Sequence, residues 1–252
     1  MPRIFAAVFL DLDGTLVDSE PLHCEAHARF LKTQGLEISE ERILGNIGKS
    51  DRRFYLDLME QSGVRGEVDA WMAEKTRILI SIYREENKLR LMPGVVEFLD
   101  YAGSEGVPCA VVTSSHRLLA TAALEVTGLA ARLPMRICHE DTPLRKPDPS
   151  PYLLAARRLD VPAGNCLVVE DSVFGVTAGV AAGAFTVAMR GYTAEAEILA
   201  AGARRVVGSL ADLLPLKRLV TVSAGEPFPA FTPTGQTTPS FALQAPAPRG
   251  QV

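Results

Sequence analysis

The sequence lacks a long hydrophobic run. No apolar stretch approaches the ~20 residues that a helix needs to cross a bilayer. The chain opens Met1-Pro2-Arg3-Ile4-Phe5 and leads into a short apolar run that ends at Asp11, without the cleavage pattern of a secretory signal. These two absences lead to the expectation of a cytoplasmic protein with no membrane partner. Cysteine is also scarce. The four present, Cys24, Cys109, Cys138 and Cys166, are scattered and form no Cys-x-x-Cys pair. This argues against a zinc site and a disulfide framework, and the expectation is buried thiols. Positive charge has no excess either: 26 Lys and Arg stand against 30 Asp and Glu, for a net charge of -4. A general attraction to nucleic acid or to an anionic surface is thereby excluded.

What is present is ordinary for a globular protein: 47% hydrophobic and 22% charged residues in a chain of 252. That length suits one large domain, or a core with a smaller partner domain. A monomer is the default expectation.

Residues 4–10 read as a buried strand, a short apolar run with no helical period. The run stops at Asp11-Leu12-Asp13-Gly14-Thr15. From about residue 20 to 90 the pattern is helical throughout. Glu20 to Gln34 carries Leu22, Ala26, Phe30 and Leu31 on one face. Ser50-Asp51 offers a helix start, and a long helix runs through Trp71, Ile78, Leu79 and Ile82. After Pro93-Gly94 the pattern alternates. Strands are expected at Val107–Thr113, Met135–Cys138, Cys166–Val169, Ala184–Ala188 and Arg205–Val207. Helices are expected at Val95–Tyr101, Leu118–Thr127, Pro149–Leu159 and Val173–Ala182. Such alternation predicts an α/β fold, a Rossmann-like parallel sheet flanked by helices, with an all-helical insert. The expected division is a core of residues 1–16 and 92–220, an insert of 17–91, and a tail of 221–252. From Ser223 onward six of the 17 prolines occur beside only two charged residues, Glu226 and Arg249, and this composition predicts disorder.

In an open parallel sheet, ligands bind beyond the carboxyl ends of the strands. Asp11 and Asp13 follow the first apolar run, Thr113-Ser114-Ser115 the second, and Glu170-Asp171-Ser172 a later one. Lys146 lies in a loop before a helix. Four carboxylates, Asp11, Asp13, Glu170 and Asp171, would repel one another without a cation, and oxygen-only ligands suit a hard ion such as Mg2+. The hydroxyls and amides of Thr113, Ser114 and Ser115, at a helix N-terminus, can hold phosphate oxygens. Lys146 supplies a fixed positive charge. A carboxylate can attack phosphorus and form an aspartyl-phosphate.

Two other motifs fail. A calcium loop opening at Asp11 would need Glu at its twelfth position, which is Leu22. A P-loop ending at Gly48-Lys49-Ser50 would need Gly at residue 43, which is Ile43, and the segment before it looks helical.

The four segments Asp11-Leu12-Asp13-Gly14-Thr15, Thr113-Ser114-Ser115, Lys146-Pro147 and Glu170-Asp171-Ser172, in this order, resemble the haloacid dehalogenase superfamily, in the branch of β-phosphoglucomutase and sugar-phosphate phosphatases. The resemblance covers roughly residues 4 to 215. It implies that Asp11 is the nucleophile and a Mg2+ ligand. Asp13 would be the general acid/base, with its backbone carbonyl on the metal, and Glu170 and Asp171 would complete the metal shell. Thr113 and the amides after it would bind the transferring phosphoryl group, and Lys146 would bridge phosphate and Asp11. The insert would be the family's cap, with His23, Lys75 and Arg52 as candidate substrate contacts. Dehalogenases and phosphonate-cleaving members lack an acid at the position of Asp13, so the resemblance implies phosphoryl chemistry. The mutases of the branch carry an arginine shortly after a Gly-x-Ser in the cap. Here Asp51 follows Ser50, and the arginines come at Arg52 and Arg53. The expectation is therefore a phosphatase acting on a small phosphorylated metabolite, a sugar phosphate or a similar compound. The alternatives are a phosphomutase and a non-catalytic phosphometabolite-binding protein.

Overall fold

A computed structural model describes residues 5–46 and 50–216. The expected Pro-rich tail, together with Gly48 and Lys49 of the cap loop, lies outside these residues. The central strand is β1, Ala7–Leu10, all four of whose residues are buried. It pairs in parallel with β4, Cys109–Val112, on one side and with β6, Cys166–Glu170, on the other. The strand β5, Arg136–Ile137, extends the sheet beyond β4. The strands β7, Phe185–Met189, and β8, Val206–Val207, extend it beyond β6. All pairings are parallel. The chain thus winds one way from β1 and then returns to wind the other way, which opens a crevice at the carboxyl ends of β1, β4 and β6.

Alternation along the strands builds the two faces. Val8, Leu10, Val111, Leu167 and Val169 pack on one face with Phe98 and Leu99 of α5, Val95–Ser104, and with Leu119 and Ala123 of α6, Arg117–Val126. Ala7, Phe9, Ala110, Val112 and Val168 pack on the other. There they meet Tyr152 and Ala155 of α7, Ser150–Arg158, and Ala178 of α8, Val173–Ala181. The second strand starts later than the apolar run predicts because Pro108 has no N–H to offer the ladder. Its carbonyl instead accepts from the Val8 amide at 2.9 Å.

The helical insert comprises α1, Glu20–Thr33, α2, Glu40–Leu44, α3, Asp51–Ser62, and α4, Val68–Glu85. It has a core of its own, in which Phe30, Leu31, Tyr55, Leu58 and Trp71 interlock. Two-residue strands, β2 (Val17–Asp18) and β3 (Arg90–Leu91), pair antiparallel where the chain enters and leaves it. Leu79, Ile82 and Tyr83 of α4 join the main core, so the insert rests on the sheet domain through buried apolar surface. Ser50 caps α3 as expected, its hydroxyl accepting from the Arg53 amide. One helix, α9 at Glu195–Ala200, was not expected. Six residues are too few to show a period. None of the four cysteines forms a disulfide.

Candidate active site

Asp11 is the first residue after β1, and it is 7% exposed. Its carboxylate accepts from Lys146 Nζ at 2.5 Å. The same ammonium donates to Glu170 Oε1 at 2.5 Å and to the Val112 carbonyl at 2.7 Å. All three donor positions of Lys146 are therefore used, and each partner stands at the end of a different strand. Burial alone would strip Lys146 of its proton. The carboxylates of Asp11 and Glu170 more than offset this and hold it charged.

Glu170 is completely buried. The Tyr152 hydroxyl donates to its Oε1 at 2.7 Å, and the Asp171 amide and Ser172 hydroxyl donate to its Oε2 at 3.1 and 3.2 Å. Two glycines make room for these acids. A Cβ on Gly175 would lie 1.8 Å from the Glu170 carboxyl carbon, and one on Gly14, whose φ is +75, would lie 2.2 Å from Asp171 Oδ2.

Asp11, Glu170 and Asp171 place carboxylate oxygens within 4.8 Å of one another. One lysine cannot neutralise three acids. Burial raises the Asp11 carboxyl to about 8, with Lys146 opposing and the nearby Glu170 and Asp13 adding to the rise. Asp171 is pushed well above the carboxylate range by burial and then by Glu170 and Asp11. Buried hard-oxygen donors with unbalanced charge fit a hard divalent cation such as Mg2+.

Asp13 has a different environment. Burial opposes its ionisation, but the neighbouring His23 and hydroxyl hydrogen bonds from Ser115 and Ser19 outweigh that and lower it to about 2. Ser19 Oγ donates to Oδ1 and Ser115 Oγ to Oδ2, each at 2.6 Å, and His23 Nε2 stands 3.7 Å from Oδ1. Both side-chain oxygens are thus occupied without metal. These bonds are compatible with the backbone-carbonyl route to the ion that the resemblance implies for Asp13.

Thr113, Ser114 and Ser115, expected to hold phosphate, direct their groups to different partners. Thr113 is buried, and its Oγ1 accepts from the Ser115 amide at 3.0 Å. Ser115 directs its hydroxyl to Asp13, so Thr113 and Ser114 are the hydroxyls that remain for a phosphate. The first-turn amide of α6, at Arg117, donates to the Glu140 carboxylate at 3.0 Å. That helix end already has its anion, and the donors facing the site belong to the loop before it.

These groups line a cavity of about 410 Å³ that also reaches Glu20, Ser50, Arg145 and Tyr192. Of the cap residues singled out by sequence, His23 and Lys75 lie together, with Lys75 Nζ donating to His23 Nδ1 at 2.8 Å. Arg52 does not join them. It pairs with Asp69, and both are exposed. Sequence reasoning passed over Ser19, Tyr152, His139, Arg145 and Tyr192. The strand-end rule reaches two of these, since His139 follows β5 closely and Tyr192 follows β7. Tyr152 gives no such signal, being one apolar position among others on α7.

The family described as haloacid dehalogenase-like hydrolase matches residues 5–183. The chain is 33% identical over 179 residues to hexitol phosphatase A of Escherichia coli (strain K12), covering 71% of this chain and 80% of that protein. It is 30% identical over 181 residues to a phosphorylated carbohydrates phosphatase of Thermotoga maritima, covering 70% and 81%. The crystal structure of a hydrolase from Pseudomonas syringae superposes with a TM-score of 0.71 at 25% identity, over 85% of this chain and 98% of that one.

Proposed function

The chain belongs to the haloacid dehalogenase-like hydrolases, and we propose that it is a Mg2+-dependent phosphatase acting on a small phosphorylated carbohydrate. The observation that carries this reading is the pair Asp11 and Asp13. They stand two residues apart at one strand end, the first held by a lysine and the second by hydroxyls. That arrangement supports Asp11 as the nucleophile and Asp13 as the carrier of protons.

A carboxylate oxygen of Asp11 attacks phosphorus. The bond from phosphorus to the leaving oxygen breaks, and Asp13 delivers a proton to that oxygen as the alcohol departs. Asp13 rests as a carboxylate; the approach of a dianionic phosphate raises its proton affinity, so it takes up a proton from solvent as substrate binds and passes that proton to the leaving oxygen. Water then attacks the aspartyl-phosphate and gives a proton to Asp13, while the Asp11–phosphorus bond breaks and phosphate leaves. Asp11, Glu170 and Asp171 would hold Mg2+, with the Asp13 carbonyl, and the ion would supply positive charge to the carboxylates and phosphoryl oxygens. Lys146 keeps Asp11 and Glu170 in register. Thr113 and Ser114 hold the phosphoryl oxygens. The helical insert serves as a cap that limits the entry of water.

Two observations favour a carbohydrate phosphate. The named relatives act on such compounds, and the cavity of about 410 Å³ is lined mainly by polar side chains. Transfer back to the sugar, as in a mutase, has less support. Arg52 and Arg53 pair with Asp69 and Asp57, and neither is among the residues that line the cavity. The test is a panel of phosphate esters incubated with the protein and Mg2+, followed by inorganic phosphate. Release from hexitol or sugar phosphates is expected. Efficient conversion of β-glucose 1-phosphate to glucose 6-phosphate with no phosphate released from any ester would establish the mutase instead. Absence of Mg2+-dependent release even from p-nitrophenyl phosphate would leave a binding protein.

A further inference from the structure

Asp51 occupies the first position of α3, directly after the capping Ser50. A carboxylate there is favourable to any helix N-terminus. Its surroundings go beyond that. Lys75 Nζ donates to Asp51 Oδ2 at 2.9 Å, His27 Nε2 lies 3.2 Å from Oδ1, and Asn46 Nδ2 donates to Oδ1 at 3.4 Å. Lys75 is 3% exposed, so its ammonium needs the Asp51 charge to remain buried.

The hydrogen positions follow from the donor inventory. An ammonium can only donate, so His23 Nδ1 accepts from Lys75, and the ring proton of His23 sits on Nε2. That Nε2 is buried, has no hydrogen-bond partner, and lies 3.7 Å from Asp13 Oδ1. A carboxylate can only accept, so His27 donates from Nε2 to Asp51. Its Nδ1 then accepts from the Tyr55 hydroxyl at 2.8 Å. Tyr55 is locked between Phe30 and Trp71 in the core of the insert. A chain of polar contacts therefore runs from that core to His23, whose Nε2 faces Asp13 across 3.7 Å.

We propose that Asp51 is a positioning residue for Asp13, acting through Lys75 and His23. Asp51 fixes Lys75, Lys75 fixes the His23 tautomer, and the His23 Nε2–H faces the Asp13 carboxylate from 3.7 Å, beyond hydrogen-bond distance, and biases its orientation electrostatically. This rests on the reading of Asp13 as the proton-transfer group. In place of a grip on a second phosphate, this loop position organises the acid/base.

Proton delivery matters most for a poor leaving group, and this gives the test. The isosteric variant Asp51→Asn is compared with wild type on sorbitol 6-phosphate, an alkyl ester, and on p-nitrophenyl phosphate, whose leaving group needs no proton. Asp51→Asn is expected to lower kcat/KM about 10-fold on the alkyl ester and less than about 3-fold on the aryl ester, with KM little changed. Adding Asp51→Asn to Asp13→Asn should cost nothing further on the alkyl ester, because the group it positions is gone. Thermal melting of each variant reports folding separately. Equal losses on both esters overturn the proposal, as does full additivity with Asp13→Asn. A rise in KM alone also overturns it and makes Asp51 a substrate contact. If Asp13→Asn itself shows no preference between the esters, the acid reading of Asp13 fails and takes the proposal with it.

Discussion

Two buried polar clusters in this molecule follow opposite designs. At the strand ends, Asp11, Glu170 and Asp171 gather around the single cation Lys146. In the insert, Asp51 is matched by Lys75, while His23 and His27 serve as neutral links. The first cluster has surplus negative charge and is completed by what binds there. The second is balanced in charge by its own residues. Burying unbalanced charge costs stability, and proteins retain it where chemistry needs it. In the proposed reading the imbalance belongs to the place of reaction, and the balance to a part that holds other groups in place.

The comparison breaks most sharply at Asp11. Asp11→Asn is expected to lower turnover by more than ~10⁴-fold, the scale of losing a covalent nucleophile. A variant turning over at the wild-type rate in a steady-state phosphate assay would refute the covalent route. Lys75→Met leaves Asp51 without its main partner. It should lose about 2 kcal/mol in denaturant unfolding, less than for a fully buried pair because Asp51 is about one-third exposed. The opposite sign is expected at the strand ends. Asp171→Asn removes an unmatched buried acid and should stabilise the metal-free protein by about 1 kcal/mol, while abolishing the rise in Tm that Mg2+ produces.

The last contrast is the pH dependence of the metal-free protein. Asp11 is raised to about 8 in the fold, so between the ordinary carboxylate value and that point the native state holds a proton that the unfolded state has lost. Stability therefore falls as pH rises through that window. Asp13, lowered to about 2, works the other way. Its contribution is present above the ordinary carboxylate value and is lost only as pH falls through about 2. Melting from pH 5 to 8 should show Tm declining by a few degrees without metal and staying level with Mg2+. A Tm that rises with pH in the metal-free protein would contradict the burial of these acids.

Much of the fold was legible because its signals are local. Ala7–Leu10, Cys109–Val112 and Cys166–Glu170 are short apolar runs that stop at polar residues, and the period separates them from the helices of residues 20 to 85. Asp11, Asp13, Thr113, Glu170 and Asp171 could be named because the rule that ligands meet strand ends needs only the strands. The helix α9 and the late start of β4 escaped. The first is too short for periodicity, and the second depends on one proline's missing N–H.

By itself, the sequence determined which side chains stand at the active edge and what chemistry they suit, because strand boundaries and residue types are local properties. Tertiary structure alone decided how those side chains divide the work. Lys146 reaches Asp11 across 135 residues, Ser115 reaches Asp13 across 102, and Lys75 reaches Asp51 across 24. The sequence assigned Ser115 to the phosphate and Arg52 to the substrate. The fold directs Ser115 to Asp13, sets Arg52 outside the cavity, and puts Asp51 in the buried network. Donor and acceptor partners are chosen by what packing brings within 3 Å, and no periodicity along the chain encodes that choice.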